Sequence, residues 1–142
     1  MILIDANLLI YAVDSDSAHH APARRWLEET LSGSEWIGIA WLVALAFLRV
    51  TTHPAVMRKP LAAESAIVYL DDWLGQPFVR LVAPGENHWP VLRNLLAASG
   101  TAGNLTSDAH LAALAIEHGA AVASADNDFR RFAGVKLVNP LA

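Results

Sequence analysis

Four aspartates have the types and spacing that could perform chemistry: Asp5, Asp108, Asp126 and Asp128. Asp5 follows the apolar run at residues 1–4, and Asp126 follows a second apolar run, so each is expected at the carboxyl end of a buried strand. Asp108 lies in the first turn of an alanine-rich helical segment, where free backbone N–H groups favour an anion. Carboxylates that gather in one place repel each other and raise each other's pKa unless a cation joins them.

Mg²⁺ is the cation that such a set of oxygen ligands favours, whereas histidine or thiolate ligands would indicate a softer metal. A divalent ion of this kind activates water and neutralises charge on a phosphate, so the aspartates predict phosphodiester hydrolysis. Each aspartate taken singly is also explained as a helix cap or a solvated turn residue. The prediction therefore depends on their meeting at one place.

Short apolar segments alternate with helical ones along the whole chain. Strands are expected at 1–4, 35–39, 79–82, 121–124 and 135–138, and helices at 7–13, 20–31, 40–52, 61–74, 88–98 and 107–118. A loop is expected at 101–106 and a short helical turn at 126–132. On the helix at 61–74, the residues expected to face inward are Ala66, Ile67, Leu70 and Leu74. This alternation predicts an α/β fold, a three-layer α/β/α sandwich around a mostly parallel sheet of four to five strands. Ligands of such sheets bind outside the carboxyl ends of the strands, where the aspartates are expected.

The chain has 142 residues, which predicts a single domain over 1–142. Apolar residues make up 54% of it, which is typical of strands buried on both faces or of a large apolar contact surface. The net charge of −4 excludes a generally basic nucleic-acid binder, so any contact with RNA must use locally clustered basic residues.

Cysteine is absent, which excludes disulfides, thiol catalysis and zinc–thiolate sites. The apolar stretch at 36–48 is too short to span a bilayer, and the first residues lack a basic leader. We therefore expect a cytoplasmic protein with no membrane association.

The motifs around the aspartates resemble a known family. Residues 1–7 (MILIDAN), 104–115 (NLTSDAHLAALA) and 124–129 (SADNDF), followed by Phe132 and Gly134, are similar to PIN domains. Residues 47–52 (FLRVTT) and the final Asn139 and Pro140 resemble the VapC toxins of bacterial toxin–antitoxin pairs. The resemblance runs the full length of the chain and keeps the order of the motifs.

This resemblance implies an endoribonuclease that depends on Mg²⁺ or Mn²⁺ and cleaves structured RNA such as tRNA or ribosomal RNA. It also implies a homodimer and a cognate VapB-type antitoxin that blocks the activity, with DNA contacted only indirectly through the antitoxin. Carried over by position, Asp5, Asp108 and Asp126 are the catalytic metal ligands and Asp128 is an accessory ligand. By the same resemblance, Asn104 and Ser124 would orient carboxylates or water.

One position departs from the family pattern. Many PIN nucleases carry a glutamate three residues before the arginine of the third helix, and here Ala46 precedes Arg49 at that spacing. The usual four acids are therefore one short, which leaves the number of metal ions open. An alternative reading is a PIN domain of weak or no activity that binds RNA or a partner protein without cleavage.

Five basic residues are candidates for RNA phosphates: Arg49, Arg58, Lys59, Arg130 and Arg131. Structural ion pairs or plain solvation explain them equally well. The six histidines show no metal-ligand spacing, and we assign them no chemistry. The apolar third helix could instead accept an antitoxin helix in a groove lined by Trp41, Leu42, Leu45 and Leu48, although ordinary core packing explains each of these residues.

A receiver-like or aspartyl-phosphate fold would also place aspartates at strand ends. Such a site needs a second acid two residues after the first and a nearby lysine. Here Asn7 follows Asp5 at that spacing, and the lysines are Lys59 and Lys136, so this class is disfavoured.

Overall fold

Five short parallel strands form the centre of the computed structural model, which describes residues 1–100 and 102–142. The strands are β1 (Ile2–Ile4), β2 (Ile37–Ala40), β3 (Val79–Val82), β4 (Ala121–Ala123) and β5 (Leu137–Val138). The helices are α1 (Ala6–Val13), α2 (His20–Leu31), α3 (Trp41–Thr51), α4 (Ala63–Leu74), α5 (His88–Ser99) and α6 (Thr106–Glu117). Two 3₁₀ turns cover Gly103–Leu105 and Asn127–Arg131.

The order of strands in the sheet is β3-β2-β1-β4-β5, and every neighbouring pair is parallel. The chain builds outward from β1 to β2 and β3 in one direction, and from β4 to β5 in the other. Right-handed crossovers then place α1 to α4 on one face of the sheet and α5 and α6 on the other. The packing of α1 with α2 and α3, of α3 with α4, and of α5 with α6 agrees with this. The predicted α/β/α sandwich is confirmed.

The direction of building reverses between β1 and β4, which makes that boundary the switch point of the sheet. The carboxyl ends of two strands diverge there into different layers, and the crevice between them is where ligands of open α/β sheets bind. Asp5 follows β1, and Ser124 to Asp126 follow β4, so the fold brings the first and the last acidic motifs to this boundary.

The central strands are fully enclosed, which explains their apolar runs. Leu3, Ile4, Val122 and Ala123 have no exposed surface, and burying each large aliphatic side chain contributes about 1.5–3 kcal/mol. Gly38 of β2 lies between the side chains of the neighbouring strands, and a Cβ at that position would collide with Leu3 and Val82. The strands that carry the acids are thus held in a rigid core.

Predicted element boundaries agree with the structure to within two residues, and two expectations need correction. Ile67 was expected to face inward, but it is 48% exposed, because the buried stripe of α4 consists of Ala66 and Leu70, one helical turn apart. The predicted loop at 101–106 contains the 3₁₀ turn Gly103–Leu105 and the first residue of α6, while Thr101 lies outside the described residues. Across the described residues no helix is long and apolar enough to cross a membrane.

Candidate functional site

Asp5 is fixed by the strand before it and the helix after it. Its backbone N–H donates to the carbonyl of Ala123 at 2.8 Å, which joins the ends of β1 and β4. Its side chain caps α1, because Oδ1 accepts the Ala6 N–H at 2.8 Å. Oδ2 accepts the Ser124 hydroxyl at 2.7 Å. Each carboxylate oxygen therefore has one hydrogen bond and keeps a lone pair for another ligand.

The hydroxyl of Ser124 connects three parts of the site. Ser124 is fully buried, and its Oγ accepts hydrogen bonds from Asn7 Nδ2 at 3.2 Å and from the Asp126 N–H at 2.9 Å. Both partners can only donate, so the single hydroxyl proton points to Asp5. Ser124 therefore stabilises the ionised form of Asp5.

Asp126 begins the acidic turn, which we define as residues 125–128. Its Oδ1 accepts the Asp128 N–H at 2.8 Å, so this oxygen caps the following 3₁₀ turn and Oδ2 is left for other ligands. Phe129 and Phe132, which follow the turn, anchor it in the core, since they are 0% and 2% exposed. Asp128 is exposed at the surface and lies 3.9 Å from Arg131.

Asp108 completes the acidic set from the first turn of α6. Burial, followed by the negative charges of Asp5, Asp126 and Asp128, raises the pKa of Asp108 to about 6. Burial also raises the pKa of Asp5, against the hydrogen bonds from Ser124 and Ala6. The four carboxylates are thus close enough to repel one another, and no cationic side chain among the described residues offsets the rise in the pKa of Asp5 or Asp108.

The donor set suits a hard divalent cation, because carboxylate oxygens are its preferred ligands. Within residues 1–100 and 102–142, no group of three or more acidic, histidine or cysteine side chains is placed to hold one ion together. Mg²⁺ is commonly bound by only one or two carboxylates, with water and phosphate completing its shell. The residues therefore fit an open metal site. Helix α3 carries no acid, so Ala46 leaves the usual glutamate position without a carboxylate.

The remaining predicted residues lie at the surface. Asn104 is exposed and makes no hydrogen bond to the acidic residues in the described part of the chain. Of the five predicted basic residues, Arg49, Arg58, Lys59 and Arg130 are exposed and form no ion pair with any described residue. Arg131 pairs with Asp128. Four of the five predicted basic candidates therefore keep their charge available to a ligand.

Asn7 is a site residue whose role sequence reasoning missed. Its Nδ2 donates to Ser124 Oγ, and its Oδ1 accepts the Ala125 N–H at 3.3 Å. It thereby ties the start of α1 to the end of β4. Its position two residues after Asp5 was the available signal, because that spacing keeps a side chain near the strand end.

A second polar cluster, also missed, lies between α5 and α6. The His88 Nδ1–H donates to Glu117 at 2.7 Å, and His88 Nε2 lies 2.9 Å from His110 Nδ1. Glu117 also accepts the Gly85 N–H at 3.2 Å. The side chains of His88 and Glu117 are 12% and 8% exposed. These contacts join the start of α5 to α6 and do not include any of the four aspartates.

Comparison with known proteins agrees with this architecture. The PIN domain family model matches residues 2–135. The chain therefore belongs to the PIN-domain family. It is 46% identical over 142 residues to Ribonuclease VapC37 of Mycobacterium tuberculosis, covering 100% of this chain and 99% of that protein. It is 41% identical to Ribonuclease VapC33 of the same species over 99% of each chain. Within the family it falls among the VapC ribonucleases of VapBC toxin–antitoxin pairs.

Solved structures share the fold at lower identity. VapBC2 from Rickettsia felis, bound to a DNA fragment from its promoter, matches with a TM-score of 0.71, 20% identity and 98% coverage of both chains. VapBC-1 from nontypeable Haemophilus influenzae matches with a TM-score of 0.70 and 15% identity over 100% of both chains. VapC20 of M. tuberculosis, a sarcin–ricin-loop cleaving toxin, matches with a TM-score of 0.67 and 16% identity over 96% of this chain and 99% of that one.

Proposed function

We propose that this VapC-type PIN domain is a divalent-metal-dependent endoribonuclease that hydrolyses phosphodiester bonds in structured RNA. The observation that carries the proposal is the group of crowded carboxylates at the switch point, where burial and then the negative charges of Asp5, Asp126 and Asp128 raise the pKa of Asp108 to about 6. A fold retains such repulsion where a cation offsets it. The oxygen-only donor set favours Mg²⁺, with Mn²⁺ as a substitute.

Asp5, Asp108 and Asp126 would hold the ion, one or two of them directly and the others through its bound water, with Asp128 as an accessory ligand from the acidic turn. The bound ion would supply Lewis acidity toward water and the scissile phosphate. Ser124 favours the ionised form of Asp5 by donating its hydroxyl proton to it, and the cap on Asp126 Oδ1 leaves Oδ2 for the site. A water oxygen bonds to phosphorus as the bond to the 3′ oxygen breaks, which leaves a 5′-phosphate and a 3′-hydroxyl.

The substrate we propose is structured RNA, either tRNA or ribosomal RNA. VapC20, which shares the fold, is described as cleaving the sarcin–ricin loop. The net charge of −4 gives no general attraction to nucleic acid, so the exposed basic side chains must act locally on phosphates. Arg49 at the end of α3 and Arg130 beside the acidic turn are the principal candidates.

The partner we propose is a VapB-type antitoxin that inhibits cleavage, since several structural neighbours are VapBC complexes. Helix α3 presents an apolar face for such a partner, because Trp41 is 54% exposed and Leu45 59% exposed. They lie one turn apart, and Leu42 and Leu48 beside them are partly buried. An amphipathic helix binds to a surface of this kind. We also propose a homodimer, with DNA contacted only through the antitoxin, and a cytoplasmic location.

The test is cleavage of RNA by purified protein freed of antitoxin. We expect cleavage with Mg²⁺ or Mn²⁺, none with EDTA, and products that carry a 5′-phosphate. Asp5→Asn and Asp108→Asn should abolish cleavage and relieve growth arrest on expression. Asp16→Asn is the matched control, because Asp16 is an exposed acid in the loop after α1. Full activity in either site variant would refute the assignment of the site.

A second candidate function rests on Ala46. Without an acid on α3, the chain would bind RNA or its partner without appreciable cleavage. Metal-dependent cleavage by the wild-type protein would exclude this reading.

A further inference from the structure

Asn139 is the first residue after β5, beside the acidic turn. β5 pairs with β4 in a register that sets Val138 opposite Ala123, and the Ser124 N–H donates to the Val138 carbonyl at 3.0 Å. The two strands therefore end side by side. The chain after β4 becomes the acidic turn, and the chain after β5 begins with Asn139.

The side-chain amide of Asn139 uses both of its ends. Its Nδ2 donates to the Ala125 carbonyl at 3.3 Å and to Asn127 Oδ1 at 3.1 Å. Its Oδ1 accepts the Leu141 N–H at 3.0 Å. A carbonyl can only accept and a backbone N–H can only donate, so a single orientation of the amide satisfies these partners.

The two acceptors bound by Nδ2 lie on either side of Asp126. Asp126 itself is tied by its N–H to Ser124 and by Oδ1 to the Asp128 N–H. Both of those bonds run within the segment that leaves β4, so they do not fix that segment against the end of β5. Among the side chains of the described residues, Asn139 is the one that hydrogen-bonds the acidic turn from the β5 side.

We propose that Asn139 is a positioning residue of the metal site, which holds the acidic turn so that the Asp126 carboxylate stays in reach of Asp5 and Asp108. The inference rests on the proposed function. An amide is required, because an aspartate would turn an oxygen toward the Ala125 carbonyl and Asn127 Oδ1, and an alanine would leave both acceptors unpaired. Residues that orient metal ligands through hydrogen bonds typically contribute about 10–100-fold in affinity or activity.

The first measurement is amide hydrogen exchange by NMR on metal-free protein. In Asn139→Ala the Asp126 and Asp128 amides should exchange about tenfold faster or more, which is the effect of losing roughly 1.4 kcal/mol of local stability. The Ala6 amide, held by Asp5 in α1, should change much less. Gln76→Ala is the matched control, because it also removes a side-chain amide donor to a backbone carbonyl, that of Asp72 at 3.1 Å.

The second measurement is Mn²⁺ binding followed by electron paramagnetic resonance, together with the Mg²⁺ dependence of cleavage. Asn139→Ala and Asn139→Asp should weaken Mn²⁺ binding about 10–100-fold and raise the half-saturating Mg²⁺ concentration, with the rate recovering at high Mg²⁺. A purely structural role would lower activity equally at every Mg²⁺ concentration. Asn127→Ala removes one acceptor of the same amide and should give a smaller change in the same direction, which carries the test if Asn139→Ala fails to fold.

Unchanged exchange at Asp126 and Asp128, or unchanged Mn²⁺ affinity in a folded variant, would overturn the role of Asn139 while leaving the proposed function in place. A wild-type protein that neither binds Mn²⁺ nor cleaves RNA would overturn both.

Discussion

Replacing Ser124 with alanine removes the hydroxyl that links β1, α1 and the acidic turn. The bond to the Asp5 carboxylate is charge-assisted and contributes about 1.5–3 kcal/mol, and the neutral bonds from Asn7 and the Asp126 N–H contribute about 0.5–1.5 kcal/mol each. Water can reach the partly exposed Asn7 and Asp126 and recover part of the loss. We therefore expect Ser124→Ala to lower the free energy of unfolding by about 2–4 kcal/mol.

The loss should depend on pH. The Ser124 hydroxyl favours the ionised form of Asp5 and lowers a pKa that burial raises. Without it, the Asp5 pKa in the folded state rises further above the unfolded value, so the folded state binds its proton more tightly. The stability that a raised carboxyl pKa provides is present at low pH and lost as pH rises. The deficit of Ser124→Ala should therefore grow from pH 4 toward pH 8.

Thr51→Val is a matched control for this variant. Ser124 and Thr51 are the buried polar residues among the described part of the chain. The Thr51 hydroxyl donates only to the Phe47 carbonyl of its own helix at 2.7 Å, a bond that adds little to helix stability, so its loss should cost less than about 1 kcal/mol.

Urea unfolding of the metal-free proteins gives the free energy of unfolding of both variants, provided that the m-value is unchanged from the wild type. RNA cleavage measured alongside should fall about 10–100-fold for Ser124→Ala and stay near wild type for Thr51→Val. The reasoning is refuted if Ser124→Ala loses no more stability than Thr51→Val, or if its deficit is the same at pH 4 and pH 8.

Three further predictions concern the acidic set. The pKa of Asp108 rises from 3.8 to about 6 on folding, so the stability that its protonation provides is present below pH 3.8 and is lost as pH rises through 6. In thermal unfolding, metal-free Asp108→Asn should therefore be more stable than the wild type at pH 7.5, and the difference should shrink toward pH 4. A difference in stability that stays constant with pH would contradict this. Mg²⁺ or Mn²⁺ should raise the melting temperature of the wild type but not that of Asp5→Asn. At a hundredfold excess of the metal over its Kd, the added free energy of unfolding is about 2.7 kcal/mol. Equal shifts of the melting temperature in both proteins would argue against Asp5 as a ligand. Ala46→Glu should tighten Mn²⁺ binding and increase cleavage if the native site is one ligand short, whereas no gain in either would mean that the site is complete without an acid on α3.

The parts of this architecture that depend on local pattern could be predicted from sequence. Residues 1–4 and 121–124 are apolar because both faces of β1 and β4 are covered, and the acid that follows such a run lies at the strand end by necessity. The resemblance to PIN domains predicted that Ser124 orients a carboxylate or water, and in the structure its hydroxyl donates a hydrogen bond to Asp5.

Contacts between distant segments could not be predicted. The bond from Asn139 to the acidic turn depends on β5 ending level with β4, which no single-sequence pattern encodes. The His88, His110 and Glu117 chain joins positions 29 and 22 residues apart. Ile67 was misplaced because an apolar residue was assumed to be buried, whereas α4 exposes Ile67 and Val68 side by side.

The switch point also has a consequence for biosynthesis. Asp5 and Ser124 are separated by 119 positions, and β1 has β4 as one of its two neighbours in the sheet. Closing a contact over that length is slow, and domains form as the chain emerges from the ribosome. A nascent chain that has not yet extended past β4 lacks Ser124 and Asp126 and has only half of the acidic set. The four aspartates can therefore come together only when synthesis of the chain is nearly complete.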